Sequence, residues 1–270
     1  MNRPLLLRLA PTALRVSLYY RLYRARAASR PELYEAAGLD PAPGVKMRLL
    51  PGDEIHNCIA YTGIYEPALT RRFVPHARQG GLLVDVGANY GYFSLLWASA
   101  ASKNRVIAFE ASPRNVPGLQ HNVSHNGFSN RIRVEACAAS KTKGELAFDP
   151  GPPEESGWGG AAADGQANVV RVPCVRLDEI LTDEPKIDVL KIDVEGAEPW
   201  VLEGAERLLR EHRVKQIYFE KNKPRLAALG LAEDASEALL RAAGYKITPL
   251  NDPAWEVVEY SATPSSSSSS

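Results

Sequence analysis

From Gly81 onward the chain alternates short apolar runs with stretches of helical periodicity, and that rhythm limits the fold more than any other feature. Residues 82–86, 105–110, 132–138, 187–192 and 214–220 read as strands. Residues 92–101, 113–126, 197–210 and 235–243 read as helices. Strands alternating with helices predict a parallel sheet covered on both faces. Residues 245–249 and 255–260 predict a closing hairpin, so only the last strands are expected to be antiparallel.

The first strand runs into the segment VDVGANYG at 84–91. Gly87 and Gly91 allow a tight turn and a close approach of backbone to a ligand. The helix that follows presents free N–H groups at its positive end. Dinucleotide folds use this geometry with a G-x-G-x-x-G spacing that contacts pyrophosphate. Here the spacing is G-x-x-x-G, and Asp85 stands two residues before it. A carboxylate there repels pyrophosphate and suits an ammonium group or the hydroxyls of a cationic cofactor. Glu110 ends the next strand, 19 residues after Gly91, where nucleotide-binding α/β folds place the acid that grips a ribose diol.

The segment DVLKIDVEGAE at 188–198 brings Asp193 and Glu195 to the carboxyl edge of the sheet, where open α/β sheets bind ligands. Acids crowded together without partners or protons are unfavourable. Lys191, a cation or a substrate hydroxyl is therefore expected beside them. Glu198 reads equally well as a carboxylate at a helix start. Glu220, ending the strand QIYFE at 216–220, is a further acid on the same edge.

Together these segments resemble the FkbM-like family of class I S-adenosylmethionine-dependent methyltransferases. The resemblance spans about residues 61–250. It is carried by GIYE at 63–66, DVGANYG at 85–91, FEASP at 109–113, VPCVRLDEIL at 172–181 and above all KIDVEGAE at 191–198. It implies a Rossmann-like class I methyltransferase sheet, mostly parallel with an antiparallel last strand and flanked by helices. It also implies S-adenosyl-L-methionine as cofactor and methyl transfer to a hydroxyl of a sugar, glycoconjugate or natural product. Cofactor contacts are expected from Asp85, Gly87, Asn89, Gly91, Glu110 and Ala138. Family members often carry a histidine shortly after the position of Glu220; this chain has Lys221, Asn222 and Lys223 there, so no histidine base is carried over. A carboxylate must then take or share the acceptor's proton, with Asp193 the first candidate and Glu195 and Glu220 next. No metal is assigned, since no complete ligand set is visible. The rival readings are a nicotinamide-dependent oxidoreductase and a cofactor-binding, membrane-associated module without turnover.

Charge divides the chain. The 32 bases balance 32 acids overall, but residues 1–30 hold seven arginines and no acid, leaving 25 bases against 32 acids in the rest. A neutral protein with an acidic body is not a general nucleic-acid binder. Residues 1–30 read as a basic amphipathic helical arm divided by Pro11. Either it packs on the main domain with its arginines in solvent, or it lies on anionic membrane as an interfacial helix. Residues 31–80 are a lead-in with a short strand at 45–50 and a helix at 65–78. Residues 81–262 are the methyltransferase domain, with 150–168 a mobile loop or lid and 263–270 a disordered Ser-rich tail. Three scattered cysteines, no signal-peptide core and no bilayer-spanning apolar run lead us to expect a cytoplasmic protein, with peripheral contact at the inner membrane face as the arm's alternative.

Overall fold

Seven strands make the central sheet of the computed structural model, which describes residues 3–163 and 165–265. They are β1 (Leu82–Val86), β2 (Arg105–Phe109), β3 (Ile132–Glu135), β4 (Val189–Ile192), β5 (Ile217–Asn222), β6 (Tyr245–Pro249) and β7 (Val257–Pro264). Their order is 6-7-5-4-1-2-3. Strands β1 to β5 run parallel, and β7 lies antiparallel between β5 and β6. This is the mostly parallel sheet with an antiparallel last strand that the resemblance implies. The strand order reverses between β1 and β4, so the crevice beyond their carboxyl ends is the switch point where such sheets take ligands.

Both faces of the sheet are buried, and the two-residue period of a strand decides which side chains reach which face. Leu83, Val189 and Tyr218 pack into the cluster that holds the N-terminal elements. Val84, Leu190 and Phe219 pack into the opposite cluster, with Val201, Leu208 and Leu240 from the later helices. Asp85, Lys191 and Glu220 share parity with the first set and face the N-terminal side. Lys191 is the register partner of both Asp85 and Tyr218.

That side is covered by α1 (Leu5–Leu9), α2 (Thr12–Leu22), α3 (Glu54–Thr62), α4 (Pro67–Gln79) and α5 (Tyr92–Ala100), while α6 (Val116–His125) leads from β2 to β3. Pro11 separates α1 from α2. Two arm arginines turn inward rather than to solvent. Arg3 pairs with Asp40 at 2.7 Å, and Arg15 pairs with the other oxygen of the same carboxylate. Arg15 also donates to the Thr62 carbonyl at 2.8 Å, at the end of α3. None of the described helices is long and apolar enough to cross a membrane.

Several boundaries differ from the expected ones. The strand expected at 45–50 shrinks to Lys46–Met47, paired with Ala37–Gly38. Asn122 explains why: its side-chain oxygen accepts from the Arg48 N–H at 2.7 Å, replacing a ladder partner. The strand expected at 132–138 breaks after Glu135, and Ala138–Ala139 joins a second sheet with Gly144–Asp149, Gly160–Ala161 and Val170–Val175. The segment 150–168 carries a 3-10 turn, Ser156–Trp158, and the strand Gly160–Ala161, apart from residue 164, which lies outside the described residues. Thr263 and Pro264, assigned to the tail from sequence, close β7; residues 266–270 of that tail lie outside the described residues.

Asp40 fastens the arm, because removing it strands two buried guanidinium groups. Asp40→Asn is expected to cost about 3 kcal/mol in chemical denaturation and to make the arm the first segment cleaved in limited proteolysis. An unchanged midpoint with an intact arm would show that packing of Leu7 and Tyr19 is sufficient.

Candidate active site

The carboxyl ends of β1, β2, β4 and β5 open into one cavity of about 270 Å³. After β1 the chain turns through Gly87, whose φ is +81°. A Cβ there would lie 1.8 Å from the Asp193 carbonyl oxygen, so glycine is required for the β1 turn to pass the end of β4. The Gly87 and Ala88 N–H groups donate to the Phe109 carbonyl at 3.0 Å, which ties the turn to β2. Asn89 follows with φ +50°, and Gly91 begins α5 with φ +91°.

Glu110 is held by three donors. Its Oε2 accepts from the Asn89 N–H at 2.6 Å, and its Oε1 accepts from the Ser112 N–H at 2.9 Å and the Asn115 amide at 3.4 Å. An ionised carboxylate has about four lone-pair sites, so acceptor capacity remains toward the cavity. Burial pushes Glu110 up to about 7 against the pull of those N–H donors. Asp85 is 1% exposed. Its Oδ2 accepts from the Ser94 hydroxyl at 2.6 Å, while its Oδ1 has no partner and sits in a cavity-lining residue. Burial raises Asp85, and Lys191 and Ser94 pull it back. Ala138 lines the same cavity beside Cys137 and Ala139.

At the other end stand Asp193, Glu195 and Glu220, whose nearest carboxylate oxygens all lie within 4.8 Å of one another. Lys191, 4% exposed, donates to Asp193 Oδ2 at 2.9 Å and lies 5.0 Å above the Phe93 ring. Burial by itself would lower the Lys191 ammonium; Asp193, Asp85 and Glu66 outweigh it and hold the group protonated. Glu195 has φ +55°, a left-handed conformation that costs a side-chain-bearing residue about 1 kcal/mol. Its Oε2 accepts from Asn222 at 2.8 Å. Burial and the nearby Asp193 push Glu195 up to about 7. Burial, Asp193, Glu195 and Glu66 push Glu220 up to about 10, so it carries a proton at neutral pH. Glu198 sits apart from the chemistry, accepting the Val194 and Gly196 N–H groups and so shaping the turn after β4. Among the described residues the one acidic group placed to hold a metal ion is Asp193, Glu195 and Glu220.

Asp53, His56 and Asn115, given no role on sequence, join Asn89 and the segment expected as a mobile loop or lid to make the roof. Asp53 caps α3 through the His56 N–H at 2.9 Å, and its second oxygen accepts from the Ser156 N–H at 2.5 Å. Asn89 donates to the Ser156 hydroxyl at 3.1 Å, and Asn115 donates to the Ser156 carbonyl at 2.9 Å. The segment 156–161 therefore closes over the cavity instead of projecting from it. Trp158, 55% exposed, lies at the rim with the Arg225 guanidinium 5.8 Å from its ring. Two neighbours of the acidic trio also had no role on sequence, although signals lay beside them: Asn222 follows Glu220 closely, and Glu66 closes the GIYE segment.

The family model described as "Methyltransferase FkbM domain" matches residues 85–247. Methyltransferase sdnD of Sordaria araneosa is 31% identical over 199 residues, which cover 62% of this chain and 74% of that protein. AMB antimetabolite synthetase AmbE of Pseudomonas aeruginosa is 30% identical over 209 residues, covering 63% of this chain and 10% of that much longer protein. Hexuronic acid methyltransferase AglP of Haloferax volcanii is 28% identical over 147 residues, covering 54% of this chain and 58% of that one.

Raised carboxylates have a consequence for stability. Glu195, Glu198 and Glu220 stay protonated in the fold to about 7, 8 and 10, against 4.5 for an ordinary glutamate. The unfolded chain loses these protons first, so stability falls as pH rises from about 5 toward 9. Each retained proton contributes a slope of roughly 1.4 kcal/mol per pH unit. Glu220→Gln should flatten the urea-denaturation profile by about that slope; an unchanged profile would place Glu220 in a water-like environment.

Proposed function

This chain belongs to the FkbM methyltransferase family, and on that premise we propose that it transfers the methyl group of S-adenosylmethionine to a hydroxyl of a sugar, glycoconjugate or natural product. The observation that carries the cofactor reading is the unpartnered, fully buried Oδ1 of Asp85 in the wall of the cavity that Glu110 also lines. A buried acceptor without a donor is costly, and a cationic ligand with an ammonium group supplies one. Glu110, fixed by backbone donors, suits a ribose diol, and the small Ala138 leaves room for a flat ring. The same unpartnered oxygen repels a pyrophosphate, so the nicotinamide reading finds no support in the site.

A sulfonium supplies an already activated methyl group, which leaves alignment and proton management to the protein. Three neighbouring carboxyl groups divide that work by environment. Asp193, paired with Lys191, is a fixed acceptor that orients the incoming hydroxyl. Glu195, poised near 7, takes its proton. Glu220, protonated at neutral pH, donates a hydrogen bond. Asp193 led the candidates for base on sequence; the environments favour Glu195 for that step and leave Asp193 the positioning role. Exposed Trp158 at the rim offers a face on which a sugar can stack. The Haloferax relative, a hexuronic acid methyltransferase, points the same way.

Titration with S-adenosylhomocysteine separates the two ends of the cavity. Asp85→Asn and Glu110→Gln should weaken binding by tenfold or more, whereas Asp193→Asn and Glu195→Gln should leave it within about threefold. Wild-type affinity should fall as pH drops below about 7 and Glu110 gains a proton. With a labelled methyl donor and a panel of glycan acceptors, Asp193→Asn and Glu195→Gln should abolish turnover. The rate of the wild type should rise with pH through about 7 as Glu195 ionises. Collapse of S-adenosylhomocysteine affinity in Asp193→Asn would move that residue to the cofactor site.

A further inference from the structure

The arm presents an outward face as unusual as its sequence. Of the twelve large apolar side chains exposed among the described residues, six lie in α1 and α2: Leu5, Leu6, Leu9, Leu14, Tyr20 and Leu22. In α1, Leu7 points into the core while its three leucine neighbours do not. In α2, Arg15 and Tyr19 are buried, and Leu14, Ser17 and Arg21 line the opposite side at helical spacing. The outer side of α1 is therefore apolar, and that of α2 combines exposed Leu14 with Ser17 and Arg21, open to solvent among the described residues.

The charges on this face share one sign. Residues 3–30 contain seven arginines and no acid. Arg3 and Arg15 are consumed inward on Asp40, Arg24 pairs with Glu54 at 3.1 Å, and Arg30 pairs with Glu32 at 3.0 Å. Arg8, Arg21 and Arg26 are exposed and form no ion pair among the described residues. A second copy of the chain is a poor occupant, because a symmetric contact sets these arginines against one another. An anionic bilayer meets both requirements. Leucine and tyrosine side chains enter the boundary between headgroups and acyl chains, and guanidinium groups remain at the level of the lipid phosphates. The arm is also fixed in advance: the two arginine pairs with Asp40 anchor it, so docking carries little ordering cost. We propose that the outward face of α1 and α2 docks this protein peripherally on anionic lipid.

Co-sedimentation of the full chain with phosphatidylcholine vesicles, and with vesicles containing about one third phosphatidylglycerol, tests this. Binding is expected to the anionic vesicles alone and to weaken steeply with salt. The triple variant Arg8→Glu, Arg21→Glu, Arg26→Glu should lower the partition constant by about a hundredfold or more, roughly fivefold per arginine lost. Leu6→Ser, Leu9→Ser and Leu14→Ser together should lower it by about tenfold or more. Both variants alter only exposed side chains and should keep the wild-type melting temperature within about two degrees. Equal binding to neutral and anionic vesicles, or none to either, overturns the proposal. So does a concentration-dependent dimer in light scattering that the leucine variant abolishes.

Discussion

One buried ammonium group makes the rest of the site tolerable. Lys191 stands in the middle of a parallel sheet, in register with Asp85, bonded to Asp193 and resting over Phe93. A strand with no charge there could not set two carboxylates side by side at a sheet edge, because each would be desolvated without a counter-charge. One cation does not neutralise them all. The remaining imbalance is absorbed by protons, held on Glu66, Glu195, Glu198 and Glu220 well above the ordinary carboxylate range. Such a site gains from a positively charged ligand twice, by direct attraction and by release of protons that burial had forced onto the acids.

The second dependence runs through Asp53. One of its oxygens caps α3 and the other holds the Ser156 N–H. His56 accepts from the Leu50 N–H through Nδ1, which leaves Nε2 to face the Ser156 hydroxyl at 3.4 Å. Burial lowers the His56 pKa, keeping the ring neutral for this role. Asn89 completes the arrangement, donating its backbone N–H to Glu110 and its amide to Ser156. The turn after β1, the lead-in helix and the roof therefore hold one another, although the roof lies 67 residues beyond the turn and 103 beyond the helix start.

This explains what was legible in the sequence. The β/α rhythm and the acids at strand ends are local patterns, so the sheet and the residues Asp85, Glu110, Asp193, Glu195 and Glu220 could be read one segment at a time. Helix α3 could not. Its apolar stripe is interrupted by His56 and Asn57, both buried, and Asn57 is satisfied only by the Tyr34 hydroxyl and the Gly52 N–H. The second sheet was hidden by short strands in a Gly- and Pro-rich stretch, where alternation has too few residues to register. The roles of the three catalytic candidates were equally hidden. Spacing puts them on one edge, but Glu220 is kept protonated in part by Glu66, a residue of the lead-in.

The neutral overall charge conceals two separate uses of electrostatics, and Glu54 lies where they meet. Four acids of the body, Asp85, Glu110, Glu195 and Glu220, line one cavity where burial raises them. Of the arm's arginines, Arg3 and Arg15 reach inward to Asp40, Arg30 pairs with Glu32, and Arg8, Arg21 and Arg26 are exposed with no ion pair among the described residues. Arg24 spans the gap, pairing with Glu54 at the first turn of α3, one residue from the Asp53 that fastens the roof. The arm and the cavity are thus two faces of the same helix start. Adjacent carboxylates, Glu54 and Asp53, join the same turn of α3 to the arm on one side and to Ser156 over the cavity on the other.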